Sequence, residues 1–234
     1  MLQNNVMELH PFSDKKIVDS WHQNAKAWTV AVRQGQIANR TLVTNQAIVD
    51  AVLSRTPQSV VDIGCGEGWL ARELSAQGIQ VLGVDVVPEL IEQARTTGTT
   101  QFELLSYEAI AAGRLKAKFD VAVANFSLIG NESVVSLIQA VPALLTPNGT
   151  FIVQTIHPVG GCGEQPYQDG WRAGSWAGFS PDFVDPAPWY FRTLESWTRL
   201  FVDSGLRLVE LREPLHPGTG KPASIIFMGT RSPL

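Results

Sequence analysis

The chain has 234 residues, a formal net charge of −4 and 44% hydrophobic residues. That length suits one α/β domain with additions, and the acidic balance speaks against a surface built mainly to hold a nucleic acid backbone. Two cysteines, Cys65 and Cys162, show no metal-ligand spacing, no apolar run approaches the ~20 residues of a membrane span, and the first ten residues lack the apolar core of a secretion signal. The expectation is a cytoplasmic protein without a metal centre.

Residues 13–54 read as two helices. Trp21, Ala25, Trp28 and Val32 recur at steps of four and three and form one helical stripe, while Leu42, Val49, Val52 and Leu53 mark a second helix beyond Gly35. After Pro57 a strand-helix alternation begins. Strands are expected at residues 59–63, 80–84, 101–105, 119–124 and 150–156, with helices at 67–77, 88–97 and 132–145. Such alternation implies right-handed crossovers and a parallel sheet. From His157 to Phe191 the chain turns rich in Gly, Pro and aromatic residues. A helix over 193–204 and strands over 206–211 and 224–228 close the chain, the last two as an antiparallel pair. The expected organisation is a helical cap (1–56), a ligand-binding core (57–156), an aromatic lid (157–192) and a segment completing the core (193–234).

The informative stretch is Val60-Val61-Asp62-Ile63-Gly64-Cys65-Gly66-Glu67-Gly68, a buried strand running into three glycines and then a helix. Glycine lets the backbone turn sharply and approach a ligand closely. In open parallel sheets ligands sit beyond the carboxyl ends of the strands. The next strand ends at Asp85, whose carboxylate can accept two hydrogen bonds from a ribose diol. Dinucleotide-binding loops read G-x-G-x-x-G and aim a helix N-terminus at a pyrophosphate. This loop reads G-x-G-x-G and carries Asp62 and Glu67. Two carboxylates there would repel a pyrophosphate and help hold an ammonium and a sulfonium. The sign of the charge therefore favours S-adenosylmethionine over NAD.

Residues 60–68, 83–85, 119–128 and 144–153 resemble the successive motifs of class I S-adenosylmethionine-dependent methyltransferases. The likeness is greatest to the group that includes ubiquinone and menaquinone biosynthesis methyltransferases. It covers residues 40–156 well and 193–230 loosely. It implies a doubly wound, Rossmann-like α/β fold with a mostly parallel seven-stranded sheet of order 3-2-1-4-5-7-6, the last strand antiparallel. It also implies roles. Gly64, Cys65, Gly66 and Gly68 would line the methionine part, Asp62 would lie near its ammonium, Asp85 would hold the ribose and Val86 would flank the adenine. Ser106 and Tyr107 stand where such enzymes contact the adenine amino group, although Ser106 departs from the usual acidic residue. Asn125, Phe126 and Ser127 would run under the sulfonium. Arg40 matches an arginine that binds the cofactor carboxylate in the quinone-pathway relatives; the competing reading is a surface arginine.

The acceptor is less legible. In-line methyl transfer depends on positioning, and a base is needed only where the acceptor loses a proton. Asn125-Phe126-Ser127-Leu128 replaces the Asn/Asp-Pro-Pro-Tyr of enzymes that methylate exocyclic base amines or a glutamine amide. The aromatic density of residues 167–191 argues for a lid rather than disorder. In that lid Trp171, Trp176, Trp189 and Tyr190, with Trp28 from the cap, would hold a planar or lipophilic acceptor. His157 follows the fifth strand and precedes Pro158, which makes it the candidate base or acceptor-orienting group. The expected function is methyl transfer from S-adenosylmethionine, with S-adenosylhomocysteine as product, to oxygen of an aromatic or lipophilic small molecule. RNA or protein methylation, and a non-catalytic S-adenosylmethionine binder, are the alternatives.

Overall fold

A computed structural model describes residues 11–231; His10, expected at the surface, lies outside them. Helix α1 (Asp14–Arg33) starts where the Ser13 hydroxyl accepts from the Lys16 amide, an N-cap that satisfies one free donor of the first turn. The chain turns at Gly35, passes through a five-residue π-helix (Arg40–Thr44) and continues into α2 (Asn45–Leu53). Then come β1 (Ser59–Ile63), α3 (Trp69–Ala76), β2 (Gln80–Asp85), α4 (Pro88–Arg95), β3 (Gln101–Leu104), α5 (Tyr107–Ala111), β4 (Phe119–Asn125), α6 (Glu132–Leu144) and β5 (Leu145–Thr155). Past β5 lie α7 (Pro158–Gly161), β6 (Gly170–Arg172), β7 (Trp189–Phe191), α8 (Leu194–Asp203), β8 (Leu206–Arg212) and β9 (Ile225–Arg231).

Seven strands form one sheet in the order β3-β2-β1-β4-β5-β9-β8, with β6 and β7 in a separate two-stranded ribbon. β1 to β5 run parallel, and β9 is antiparallel to both β5 and β8. Setting the ribbon aside, this is the 3-2-1-4-5-7-6 sheet that the family resemblance implied. Apolar side chains cover both faces, as a parallel sheet under helices requires. Phe151 and Phe227 pack with Ile138 of α6 and Phe201 of α8 on one face, and Val60 and Val121 pack with Ile48 of α2 and Leu74 of α3 on the other. The strand order reverses between β1 and β4, which opens a crevice beyond their carboxyl ends.

Among the boundaries that depart from expectation, three have a visible cause. α3 starts at Trp69 rather than 67, because Gly68 adopts φ 85° and belongs to the turn. β5 starts at Leu145, since Leu145 pairs with Phe119 and the register then shifts between Phe119 and Val121, so that residues 146–149 of β5 hold the expected turn. β9 runs on to Arg231, because its pairing with Leu206 and Arg207 continues past Met228.

The aromatic insertion divides in two. Trp176, Phe179 and Phe183 cluster with centroids 4.7–5.3 Å apart, and Trp176 meets Trp21 of α1 at 5.8 Å. Trp171 packs on Tyr190 across the β6–β7 ribbon, and Phe191 meets Tyr167 and Trp189. The first cluster is pinned to α1: Asn24 donates to the Val184 carbonyl at 2.7 Å and accepts from its amide at 2.8 Å, Ser20 donates to the Asp185 carbonyl, and Lys16 pairs with the Asp185 carboxylate.

The first residue of α1 ties the helix to α6. The Asp14 carboxylate accepts from the amides of Asn131 and Ser133, both at 2.7 Å, and so caps a helix distant in sequence. Asp14→Ala should therefore destabilise the protein by about 1–2 kcal/mol, and Asp14→Asn by less, in urea unfolding. An unchanged midpoint in Asp14→Ala would show that the cap is dispensable.

Candidate active site

A cavity of about 700 Å³ lies beyond the carboxyl ends of β1, β2 and β4, lined on one side by the glycine turn and on the other by α1. That volume is in the usual range for a cofactor or small-molecule site. Gly64, Gly66 and Gly68 all have positive φ, between 58° and 85°. At Gly64 the demand for glycine is greatest: a Cβ would stand 2.4 Å from the Ser127 Cβ and 2.8 Å from the Tyr107 hydroxyl. The turn is tied to β2 twice. The amides of Gly64 and Cys65 donate to the Val84 carbonyl, and the Gly66 amide donates to Asp85 Oδ2 at 2.9 Å. Asp85 Oδ1 accepts from the Val87 amide at 3.0 Å. Each carboxylate oxygen keeps a free lone pair, and burial raises the Asp85 pKa above the ordinary carboxylate range.

Asp62 is 1% exposed, and its Oδ2 has no partner. Burial, reinforced by the Asp85 charge, pushes its pKa up to about 7. Arg40 projects from the π-helix, a form that recurs at functional sites. Its guanidinium lies over the rings of Trp28 and Trp69, at 5.3 and 5.1 Å, and its second terminal nitrogen is buried without a partner. Burial lowers its pKa to about 10. Asn125 Oδ1 is likewise buried and unpartnered. Buried polar atoms are normally paired, so three orphans on one cavity wall point to a polar ligand. A guanidinium, a carboxylate and a second carboxylate at a strand end fit the carboxylate, ammonium and ribose diol of S-adenosylmethionine.

The other cavity residues form the frame. Ser106 caps α5 by accepting from the Ala109 amide, Tyr107 donates to the Ser127 carbonyl at 3.1 Å, and Ser127 donates to the Ile63 carbonyl at 2.7 Å. Phe126 has φ 53°, a strained value for a residue with a side chain, and its amide donates to the Gln154 carbonyl. Val86 and Cys65 also line the cavity, and burial raises the Cys65 thiol pKa well above normal.

Several expected residues lie elsewhere. Glu67 does not line the cavity: its Oε2 lies 2.9 Å from Arg33 Nε and 2.7 Å from an Arg72 terminal nitrogen, so its charge is neutralised behind the turn. Gly68 also stays behind, where a Cβ would strike the Phe102 ring at 2.6 Å. His157 is not in the cavity wall. Pro158 opens α7, so His157 becomes its N-cap, accepting from the Val159 amide, while Nε2 meets Glu213 at 2.8 Å. Trp176 does not line the cavity itself but backs the lining residues Trp21 and Phe179, and Trp171 packs on the ribbon. Trp189 and Tyr190 line a separate small pocket beside Pro158 and Trp197. Trp28 does line the main cavity, but beside the glycine turn: its Nε1 lies 3.4 Å from the place of a Gly66 Cβ. The outer wall is made instead by Ile17, Val18, Trp21, Ile129, Ile156 and Phe179. Trp21 shares the stripe of Trp28, which was a usable signal; the isoleucines carried none.

A family described as a methyltransferase domain matches residues 34–211. The chain belongs to this methyltransferase family. A ubiquinone biosynthesis O-methyltransferase of Xylella fastidiosa (strain 9a5c) is 32% identical over 120 residues, covering 48% of this chain and 49% of that protein. An uncharacterised methyltransferase of Mycobacterium tuberculosis is 31% identical over 110 residues, covering 47% and 56%. The chain thus spans about half the length of the curated relatives it matches. A Burkholderia thailandensis 1,6-didemethyltoxoflavin-N1-methyltransferase superposes with TM-score 0.63 at 20% identity, covering 94% of this chain and 87% of that one. The magnesium protoporphyrin IX methyltransferase of Synechocystis gives 0.64 at 17%, covering 94% and 100%. These structures establish the shared Rossmann-like methyltransferase fold.

Gly64→Ala should lower stability by about 1–3 kcal/mol through overpacking against Ser127 and Tyr107. Thermal unfolding checks it, and a native melting temperature would mean that the turn has slack that the geometry denies.

Proposed function

We propose that this methyltransferase-family chain binds S-adenosylmethionine and methylates a small planar or lipophilic molecule. The observation that carries the reading is the pairing, in one cavity, of a buried unpartnered Arg40 nitrogen with a buried unpartnered Asp62 oxygen. Arg40 would hold the ligand carboxylate, Asp62 its ammonium and Asp85 its ribose hydroxyls. When bound, S-adenosylmethionine supplies a methyl carbon already activated by its sulfonium. Stacking on Trp28 and Trp69 fixes the Arg40 guanidinium before the ligand arrives, which reduces the ordering cost of binding. Oxygen is our choice of acceptor atom; the apolar outer wall and the name of the Xylella relative favour it. The toxoflavin enzyme, an N-methyltransferase by name, gives nitrogen as the second reading.

Calorimetry with S-adenosylmethionine, S-adenosylhomocysteine, NAD and NADP tests this. The first two should bind and Asp85→Ala should weaken them at least about tenfold, the scale of one lost charge-assisted hydrogen bond. Binding of a nicotinamide dinucleotide alone would overturn the reading. A second expectation concerns pH. Asp62 titrates near 3.8 when unfolded and near 7 when folded. The free protein therefore loses stability as pH climbs from about 4 to about 7, because the folded carboxyl retains a proton that the unfolded one has released. An ammonium ligand needs the carboxylate, so affinity for S-adenosylhomocysteine should rise over that same upper range and level off above about 7.5. Asp62→Asn should flatten the profile; a native profile with the same slope in Asp62→Asn would acquit Asp62.

A further inference from the structure

We infer that Asp14 is the hydrogen-bond anchor for the methyl acceptor, and that this acceptor is an uncharged flat molecule bearing a ring O–H or N–H. The inference rests on the methyltransferase reading above and names the recognition chemistry of the same cavity.

The outer part of the cavity faces α1 and the loop around Gly130. Its wall is largely apolar, and besides Arg40, Asp62 and Asp85, assigned above to the cofactor, the charged residues lining the cavity among the described residues are Asp14, Lys15 and Glu108. The Lys15 ammonium is 2.6 Å from Asp19 and largely solvated. Arg192, buried just behind the wall, donates to the carbonyls of Gly130 at 2.7 Å and Asn131 at 3.0 Å. No described cation is therefore aimed at an anionic acceptor, and a carboxylate or phosphate would enter opposite Asp14 itself. Unpaired charge in such surroundings is costly.

Asp14 offers the complementary group. Its two oxygens each accept one backbone amide of the α6 N-terminus, which leaves a lone pair on each. The loop it grips, residues 129–131, follows β4 after three intervening residues and is held from behind by Arg192 and by the Tyr190 amide, which donates to the Ile129 carbonyl at 2.8 Å. Residue 130 is glycine, and a Cβ there would stand 2.8 Å from Asp14 Oδ1 and 2.8 Å from Ser133 Oγ. The carboxylate of the cap helix thus occupies the place where a side chain of the loop would begin, beside the exit of β4, with Ser133 next to it. A fixed acceptor in an apolar chamber selects a ligand that brings a donor, because an analogue without one leaves the group unmade.

The test uses the full chain saturated with S-adenosylhomocysteine and calorimetric titration with 2-naphthol, naphthalene and 2-naphthoate. 2-Naphthol should bind at least about tenfold more tightly than either analogue. Asp14→Ala should erase that preference, and Asp14→Asn, which retains a cap, should reduce it at least about threefold with S-adenosylhomocysteine affinity held within about twofold. A preference that survives in both variants, 2-naphthoate binding as tightly as 2-naphthol, or no binding by any of the three would overturn the role of Asp14. Loss of S-adenosylhomocysteine binding by the native chain would instead bring down the cofactor reading, and this inference with it.

Discussion

A guanidinium and a carboxyl group, buried in one cavity and each left with an atom that no protein group satisfies, set the terms for the rest of the site. Removing such groups from water without pairing them costs several kcal/mol in general. The cost is tolerable only if a ligand supplies the missing partners. The protein lowers it in the meantime: burial raises the Asp62 pKa to about 7, so the carboxyl is neutral below that pH, and Arg40 faces two indole rings instead of solvent.

The surrounding fold keeps these groups apart and in place. The π-helix presents Arg40, and the buried Gln154 of β5 donates to the Thr44 carbonyl at its end, so the presentation is anchored in the sheet. Asp85 links the glycine turn to β2 through the Gly66 amide, and the same carboxylate remains open to the cavity. Glu67 contributes from behind by gathering Arg33 and Arg72, which ties the turn to α1. The cap is thus bound to the core at Asp14, at Arg33 and, through Asn24 and Ser20, to the insertion. Both ends of the cavity share one roof.

How much of this was legible follows from which interactions are local. Parallel strands announce themselves as short apolar runs between turns, and the three glycines with Asp85 marked the crevice, so the parallel strands and the glycine turn could be read from the residues, while the sheet order came from the family resemblance. Glu67 could not be read, because its partners come from residues 33 and 72 and only the fold brings them together. His157 sits at a strand end where a functional residue is plausible, yet Pro158 begins a helix and turns the ring toward Glu213. The aromatic run signalled burial but not a surface, and the structure divides it between α1 and a ribbon. Asp14 left no trace in sequence, since its meaning depends on amides 117 and 119 residues away.

Asp62, whose burial raises its pKa to about 7, is the group on which the ligand reading turns. Titrating S-adenosylhomocysteine at pH 6 in buffers of different ionisation enthalpy counts protons exchanged on binding. Release of close to ~1 proton per ligand, absent in Asp62→Asn, is the predicted result. Binding with no proton released, or the same release in the variant, would contradict the claim that this carboxyl is the one the ligand completes.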